Sequence, residues 1–362
     1  MSTDKWTLEE VCEKGSSSLM QKNLKLGTGA FPIYGASGLL GFVDFYHRQE
    51  EYIGIVKDGA GVGRAMLLPA QSSCIGTMQY LIPNQNVTAH YLYYAIQNMN
   101  LAKYNTGATI PHIYFRDYKR ESIPKRSIQE QEIISEKIDK VENIIKIKRE
   151  QLSHLDDLVK SQFIEMFGGY SLRDRKPDWV KIKAVAEVVG GSTPKTDRAE
   201  YWDGGFNWVT PAELKEDDYI VTKTQRTLTE DGINSCSLRR LPIGTVLLSS
   251  RAPIGKVAIA GIEMYCNQGF KNLICSRELN PLYIYALLKY NSNYLNSLGR
   301  GATFKEISKS IVENIYIPVP EIDRQNEFAR FVEQTDKSKF RIKQNLEKLE
   351  ILYKSLLQEY FG

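Results

Sequence analysis

The 362-residue sequence contains little cysteine and histidine, and this scarcity excludes several kinds of protein. Its five cysteines are odd in number, scattered, and never spaced as Cys-x-x-Cys: Cys12, Cys74, Cys236, Cys266 and Cys275. That distribution argues against a disulfide framework or a zinc site and favours reduced thiols in a cytoplasm. The four histidines are equally dispersed, so the sequence predicts no metal cluster.

Long apolar runs are also missing. None approaches the roughly 20 residues needed to span a bilayer, and the first residues, Met1–Lys5, lack the charged-then-apolar pattern of a signal peptide. These absences predict a cytoplasmic protein without a membrane partner. The net charge of +4 permits nucleic-acid binding but does not argue for it, because many enzymes have a similar charge.

Motifs of catalysis are a third absence. We find no Walker lysine loop, no nucleophile elbow, no S-adenosylmethionine loop and no Asn/Asp-Pro-Pro-Tyr/Phe methyltransferase motif. Single Asp, Glu and Lys residues are abundant, but any chain with 25% charged residues contains those. The sequence therefore predicts a protein that is not itself an enzyme and that holds no cofactor.

An internal repeat is the main positive feature. Residues 107–168 align without a gap on residues 301–362, at an offset of 194. The matches are Gly107-Ala108-Thr109 with Gly301-Ala302-Thr303, Ile123-Pro124 with Ile317-Pro318, Gln131 with Gln325, and Phe167-Gly168 with Phe361-Gly362. The repeat predicts two similar halves, each a globular head followed by a long helix.

The two helices are predicted at 126–168 and 320–362, because apolar residues recur there at alternating steps of three and four. In the first helix these are Ile134, Ile138, Val141 and Ile145 and, after an interruption at Lys148, Leu152, Leu155 and Val159. In the second the same spacing has a more polar middle and consists of Phe328, Phe331, Thr335, Ser338, Ile342, Leu346, Leu349, Leu352 and Leu356. Forty helical residues extend about 60 Å, so each helix needs a lengthwise partner. We expect an antiparallel pair of helices related by pseudo-twofold symmetry.

The heads are predicted at 1–125 and 169–319. Short apolar runs bounded by Gly, Pro and Asn indicate strands, so the fold class is α+β, with two similar α/β heads. The second head aligns with the first at an offset of 192, which pairs Cys74 with Cys266 and Arg64 with Lys256. Trp202 and Trp208 suit either base stacking or core packing, and we favour core packing.

The segment 57–64 is rich in glycine but does not fit a phosphate loop, since neither Gly-x-Gly-x-x-Gly nor Gly-Lys-Ser/Thr occurs. Two interpretations remain. One is a hairpin turn whose Lys57 and Arg64 face DNA, and the other is a plain solvated turn.

The order head, helix, head, helix resembles the specificity subunit of type I DNA restriction–modification systems. The second head carries the resemblance most clearly, in Gly191-Ser192-Thr193-Pro194, Trp208-Val209-Thr210-Pro211, Gly244-Thr245-Val246-Leu247, Ile254-Gly255-Lys256 and Asn267-Gln268-Gly269. The first head has Phe31-Pro32-Ile33-Tyr34-Gly35 in place of the first two of these motifs.

The resemblance implies that each head is a target recognition domain for one half of a bipartite site in double-stranded DNA. It also implies that the helices set the spacer and dock two methyltransferase subunits, which bind S-adenosylmethionine and act together with motor-nuclease subunits. As DNA contacts we predict Lys57 and Arg64 in the first head, and Thr193, Lys195, Arg251 and Lys256 in the second, each against the alternative of a solvated loop. The rival hypothesis is a coiled-coil scaffold whose heads bind proteins and never DNA.

Overall fold

The computed structural model describes residues 4–27, 29–107, 110–169, 171–215, 219–236, 238–300 and 305–362. The chain divides into two compact units. The first contains Met1–Glu150 together with Ile342–Gly362, and the second contains Gln151–Arg341. Each unit therefore holds one head, the beginning of the helix that follows this head in sequence, and the end of the other long helix.

The first head and its helix contain nine strands and four α-helices among the described residues. They are β1 (Lys5–Thr7), α1 (Leu8–Val11), β2 (Cys12–Ser16), β3 (Phe31–Gly35), β4 (Gly38–Val43), β5 (Tyr52–Val56), β6 (Ala65–Leu68), β7 (Ser73–Cys74), β8 (Met78–Pro83), α2 (Ala89–Met99), α3 (Phe115–Tyr118), β9 (Ser122–Pro124) and the long helix α4 (Ile128–Phe167).

The second head and its helix follow the same order with additional elements. They are β10 (Val180–Lys181), α5 (Ile182–Val185), β11 (Ala186–Gly190), β12 (Trp202–Val209), β13 (Ile220–Val221), β14 (Arg226–Leu228), α6 (Glu230–Ser235), β15 (Val246–Leu248), β16 (Val257–Ala260), β17 (Tyr265–Cys266), β18 (Lys271–Cys275), α7 (Pro281–Tyr290), α8 (Ser292–Ser297), α9 (Lys309–Glu313), β19 (Tyr316–Ile317) and the long helix α10 (Ile322–Phe361).

The sheets of the two heads have the same strand order. In the first head one sheet is β2-β8-β5-β6 and a second is β4-β3-β7, while β1 pairs with β9. The second head repeats this as β11-β18-β15-β16, with β13 added at the edge, as β14-β12-β17, and as β10 with β19. The central strand β5 is buried along its whole length because it lies between β8 and β6. The repeat inferred from sequence is therefore a repeat of topology.

A buried glutamine joins each long helix to its own head. The Gln131 Oε1 accepts a hydrogen bond from the Thr88 amide (2.9 Å), and its Nε2 donates to the carbonyls of Asn86 (2.8 Å) and Arg126 (3.0 Å). Gln131 and its counterpart in the second head, Gln325, are both fully buried.

Gln325 makes the same three bonds in the second head, to the Asn280 amide (2.8 Å) and to the carbonyls of Glu278 (3.0 Å) and Pro320 (2.7 Å). A buried polar side chain is stable only when its donors and acceptors are paired. Here one amide uses its acceptor and both donors, which explains why glutamine occupies this position in both halves. We call this three-bond arrangement the glutamine clamp.

The far end of each long helix completes the core of the other head. In the first unit, Phe361 at the end of α10 packs against Tyr91 of α2, with ring centroids 4.9 Å apart. In the second unit, Phe167 at the end of α4 packs against Tyr283 of α7 at 4.8 Å. Both tyrosines are buried and donate a 3.0 Å hydrogen bond to a proline carbonyl, that of Pro124 at the end of β9 or that of Pro318 directly after β19.

Each unit contains an antiparallel helix pair. In the first, Lys137 bonds to Tyr360 (3.3 Å) and Arg149 to Glu350 (2.7 Å). In the second, Asp156 pairs with Lys339 (2.5 Å), and the rings of Phe163 and Phe328 are 5.4 Å apart. Residue numbers rise along one helix as they fall along the other. The predicted fold class, two similar α+β heads with two long antiparallel helices, is confirmed.

The predicted apolar stripe of the second helix is wrong at two positions. Leu352 is 45% exposed and Ser338 is exposed, whereas Tyr353, Leu356 and Leu357 pack on the core of the first head. A straight α-helix drifts by about 20° per heptad from a strict seven-residue repeat. The face of α10 that reaches the head is therefore not the one that the early heptads predict.

Two further predictions have clear outcomes, and a third lies mostly outside the described residues. Both tryptophans of the second head are core residues, with Trp202 5% and Trp208 4% exposed. All five cysteines are free thiols. The repeated Gly-Ala-Thr segment lies largely outside the described residues, which omit Ala108, Thr109 and Gly301–Thr303.

We expect Gln131→Leu to lower the free energy of unfolding by roughly 2–4 kcal/mol, since each buried group left unpaired costs about 1–3 kcal/mol. Gln325→Leu should have a similar effect. Urea unfolding monitored by circular dichroism measures it, with the exposed neighbour Gln129→Leu as the matched control. Equal stability of Gln131→Leu and the control would show that the glutamine clamp contributes nothing.

Because each long helix ends in the core of the other head, removing the phenylalanine at its end should destabilise that other head. Phe361→Ala should loosen the first unit and Phe167→Ala the second, each by about 3–5 kcal/mol. Hydrogen–deuterium exchange with mass spectrometry should then show lost protection in α2 for Phe361→Ala and in α7 for Phe167→Ala. Leu352→Ala, a truncation at an exposed site of α10, serves as the control. Protection lost equally in α2 and α7 would contradict the assignment.

Candidate nucleic-acid interface

Three loops of the second head are hydrogen-bonded to the segment 266–269. The Ser192 amide donates to the Cys266 carbonyl (3.0 Å), the Asn267 amide to the Val209 carbonyl (3.1 Å), and the Ser250 amide to the Gly269 carbonyl (2.7 Å). Three of the sequence motifs that carry the family resemblance, those at 191–194, 208–211 and 267–269, are thus neighbours in space. Their backbones hold one another, and their side chains form the surface around the segment.

Glycine is required where the first of these loops crosses the segment. A Cβ atom on Gly191 would lie 2.1 Å from the Cys266 carbonyl oxygen and 2.3 Å from that of Asn267. Any side chain would force the two backbones apart. This close approach gives a physical reason for Gly191 beside Ser192 and Thr193.

Two buried indole rings support the Ser192–Lys195 loop. Trp202 donates its Nε1–H to the Lys195 carbonyl and Trp208 donates its own to the Ser192 carbonyl, each at 3.1 Å. The tryptophan rings meet edge to face with centroids 5.1 Å apart. Because its backbone is fixed, the loop presents the exposed side chain of Lys195 in a defined place, and Thr193 bonds to Gln268.

Arg251 and Lys256 lie in the connection between β15 and β16, and both are already engaged. The Arg251 Nε donates to a carboxylate oxygen of Glu306 (3.2 Å), which also pairs with Lys271 (3.3 Å). The Lys256 Nζ donates to the Leu214 carbonyl (3.2 Å). Arg251 remains half exposed, so it can present its remaining donors, whereas Lys256 supports the loop that contains Leu214.

The first head has an equivalent segment at 74–77. The Ile75 amide donates to the Tyr34 carbonyl (2.9 Å), the Gly76 amide to the Leu19 carbonyl (2.8 Å), and the Lys57 amide to the Thr77 carbonyl (3.0 Å). Through the repeat the first and third of these bonds correspond to those of Asn267 and Ser250. In the second bond the segment amide is the donor, whereas the Ser192 bond has the loop amide as the donor. The same backbone frame therefore supports the loops of both heads.

Lys57 and Arg64 flank the hairpin loop between β5 and β6, which confirms the predicted turn. Lys57 forms an ion pair with Asp58 and is about one-quarter exposed. Arg64 is exposed and donates to the Ala36 carbonyl in the turn between β3 and β4. Between this loop and that turn lies a groove of about 530 Å³, lined by Gln21, Gly35, Ala36, Ser37, Leu40, Ala60, Arg64, Ile75 and Thr77.

Equivalent positions of the two heads carry opposite chemistry. The Ile113 amide donates to the Lys57 carbonyl and the Ile307 amide to the Ser250 carbonyl, both at 3.0 Å. The residue after Lys57 is Asp58, which pairs with His112, the residue before Ile113. In the second head the residue after Ser250 is Arg251, which pairs with Glu306, the residue before Ile307. An acidic residue of one loop is replaced by a basic residue in the other.

The cysteine of each converging segment is a buried, unreactive group. Burial raises the pKa of the Cys74 and Cys266 thiols to about 12, because desolvation penalises the thiolate. Both thiols are protonated at neutral pH, and nucleophilic chemistry needs the thiolate. They pack as small apolar side chains beneath the loops.

Sequence inspection missed Arg226, which the structure places on the surface of the second head beside the Ser192–Lys195 loop. It begins β14 and lies opposite Trp208 in β12. The signal that the sequence offered for Arg226 was a cation that follows a tryptophan-rich strand. The pairing of β14 with β12 joins residues on either side of the long connection 210–225, so a local sequence pattern does not reveal it.

Among the residues that the structure describes, no group of three or more His, Cys, Asp and Glu side chains is arranged to hold a metal ion. Within the same ranges, no helix combines the length and the apolar character needed to cross a membrane.

Comparison with known proteins agrees with this architecture. The chain is 40% identical over 189 residues to the type I restriction enzyme MjaIX specificity subunit of Methanocaldococcus jannaschii, a match covering 51% of this chain and 44% of that protein. It is 28% identical over 197 residues to the MjaVIII specificity subunit of the same organism, covering 51% and 42%. These matches therefore span less than half the length of either relative.

The fold is that of the type I restriction–modification system S subunit from M. genitalium, whose crystal structure superposes with a TM-score of 0.66 at 15% identity, covering 99% of this chain and 96% of that one. The model of the type I restriction modification DNA specificity domain matches residues 3–156 and 177–351, one copy for each half of the repeat. The chain belongs to the type I restriction modification DNA specificity domain family.

Proposed function

We propose that this chain is the DNA-recognition subunit of a type I restriction–modification complex. Each head recognises one half of a bipartite site in double-stranded DNA, and the paired helices fix the spacer between the halves. Base pairs are distinguishable by their edges in the major groove, so that groove is where the loops around 74–77 and 266–269 make contact.

One observation carries this proposal. The two heads share a backbone frame but present different side chains at equivalent positions, as Asp58 and Arg251 illustrate. A protein that recognises two different half-sites needs this combination, because the DNA backbone is the same in both halves and the base edges differ. A scaffold that bound one kind of protein twice would have no need of opposite charges there.

In this function, partner subunits carry out all of the chemistry. Two methyltransferase subunits dock on the long helices and supply S-adenosylmethionine and adenine methylation, and motor-nuclease subunits supply cleavage. This chain contributes binding and orientation, without a cofactor of its own. The structural likeness to S subunits and the absence of catalytic motifs from the sequence support this division.

We expect cells that express this chain with the methyltransferase subunit of its system to carry methylated adenines within one split sequence motif. Cells expressing the methyltransferase alone should lack that motif. A genome-wide map of methylated adenines, obtained by single-molecule sequencing, makes the comparison. An active, chain-bound methyltransferase that produces no new motif would overturn the proposal in favour of a protein-binding scaffold.

Arg64→Ala should alter recognition in one half of the motif and leave the other half intact, because Arg64 lies in the first head only. The expected change is about 1–3 kcal/mol of discrimination at one base pair, measured from the methylation map. Lys119→Ala is the matched control, since Lys119 pairs with Glu9 (2.5 Å), away from the loops. Uniform weakening at all sequences would make Arg64 a phosphate contact instead.

A further inference from the structure

We propose that Arg226 recognises a guanine in the half-site of the second head and that the ring of Trp202 orients it for this contact. The inference rests on the proposed function and adds to it a specificity-determining residue. It follows from the stacking of Arg226, from its having no ion-pair partner among the residues that the structure describes, from its place beside the Ser192–Lys195 loop, and from its absence from the first head.

The stacking fixes the plane of the guanidinium group. Its central carbon lies 3.3 Å from the ring centroid of Trp202 and 6.0 Å from that of Trp208. Trp202 is itself buried and hydrogen-bonded through its indole nitrogen, so it is a rigid support. A guanidinium that lies flat on an aromatic ring keeps its N–H donors in plane and directed outward, and less rotamer entropy is lost when these donors bind.

Arg226 also differs from four other arginines of this head. Arg198, Arg239, Arg240 and Arg251 each pair with a glutamate, as in the 2.7 Å contact of Arg239 with Glu187. In the part of the chain that the structure describes, no carboxylate lies within 4.0 Å of Arg226. Its side chain is exposed, so the charge is available to a ligand with two adjacent acceptors.

The position of Arg226 joins it to the predicted DNA-binding loop. The rings beneath Arg226 are those whose indole N–H groups hold the carbonyls of Lys195 and Ser192. The guanidinium, the Lys195 side chain and the Thr193 side chain therefore share one support. The same pair of rings thus supports a loop that carries a cation suited to the DNA backbone and a planar donor suited to a base edge.

Comparison of the heads favours a base over a phosphate as the ligand. Trp208 pairs with Tyr265 and Val209 with Cys266, as Ile33 pairs with Ser73 and Tyr34 with Cys74. Trp208 thus corresponds to Ile33. Arg226, which pairs with Trp208, then corresponds to Gly41, which pairs with Ile33.

A phosphate contact would serve both half-sites and should recur in both heads. A contact with a particular base should differ between them, and a glycine in place of an arginine is such a difference. Guanine offers the O6 and N7 acceptors as a pair in the major groove, and arginine matches that pair with two donors.

The competing explanation is that Arg226 only covers the small core formed by Trp202, Trp208, Leu228 and Tyr265. Arg226→Met separates the two roles, because methionine keeps an unbranched apolar stem over the rings and lacks the donors. Arg226→Lys keeps the charge and lacks the planar fork. Arg239→Met, at an exposed and ion-paired arginine of the same head, is the matched control.

The test uses the full-length chain and a pool of duplex DNA with randomised positions, followed by selection of bound duplexes and sequencing. The wild type and Arg239→Met should enrich one split motif. Arg226→Met and Arg226→Lys should lose the preference for a G·C pair at one position of one half, by on the order of 10- to 100-fold, and keep the other half. Thermal unfolding of each variant verifies that it is folded.

Three outcomes would overturn the inference. If Arg226→Met keeps the full motif, Arg226 is only a cover for the core. If the arginine variants weaken binding equally at all sequences, with a smaller dependence on salt, Arg226 contacts a phosphate. If the folded wild type enriches no motif, the proposed function fails and this inference fails with it. If Arg226→Met proves to be unfolded, the motif that Arg226→Lys selects tests the inference in its place.

Discussion

The glutamine clamp is the interaction on which the rest of each half depends. Gln131 and Gln325 lie one turn into their helices, and each is the only side chain type that can accept one hydrogen bond and donate two at that site with the reach required. Glutamate would lack the donors, and leucine would leave three backbone groups unpaired. The clamp fixes where the long helix leaves its head, and so it determines which face of the helix the head covers.

In the loops, the main chain and the side chains have separate roles. The hydrogen bonds that bring the loops onto 74–77 and 266–269 are made by main-chain groups, which every residue except proline supplies in full. Side chains at the same positions are therefore free to change, as Gly41 and Arg226 do, without loss of the frame. Only sites of close backbone approach, such as Gly191, are restricted to one residue type. Such a scaffold can hold two specificities in one chain.

Much of this architecture could be predicted from the sequence, because the repeat makes each half a check on the other. Gln131 and Gln325 were visible as matched residues, and the three-four spacing indicated helices that need partners. The role of the glutamines was not visible, since two of the three partners of each lie more than 40 residues away. Leu352 was misassigned because the buried face of a straight helix drifts away from a strict seven-residue repeat.

The candidate interface was less predictable than the fold, for a physical reason. A sequence shows charges but not their neighbours, so Arg251 and Lys256 could be named as free cations although Glu306 and the Leu214 carbonyl engage them. Arg226 has the converse property: nothing in its local sequence marks it, and its significance comes from a strand partner and a ring brought close by the fold.

The exchange of helix ends has a consequence for biosynthesis. The core of the first head includes Leu357 and Phe361, which leave the ribosome after everything else in both heads has been made. During synthesis, Tyr91 and its neighbours therefore wait for a segment some 270 residues downstream, a delay that contacts of such long range impose on folding. The second head has no such wait, because Phe167 precedes it in the chain. Translation thus completes the second head before the first, and a prematurely terminated chain would carry an open core in the first head.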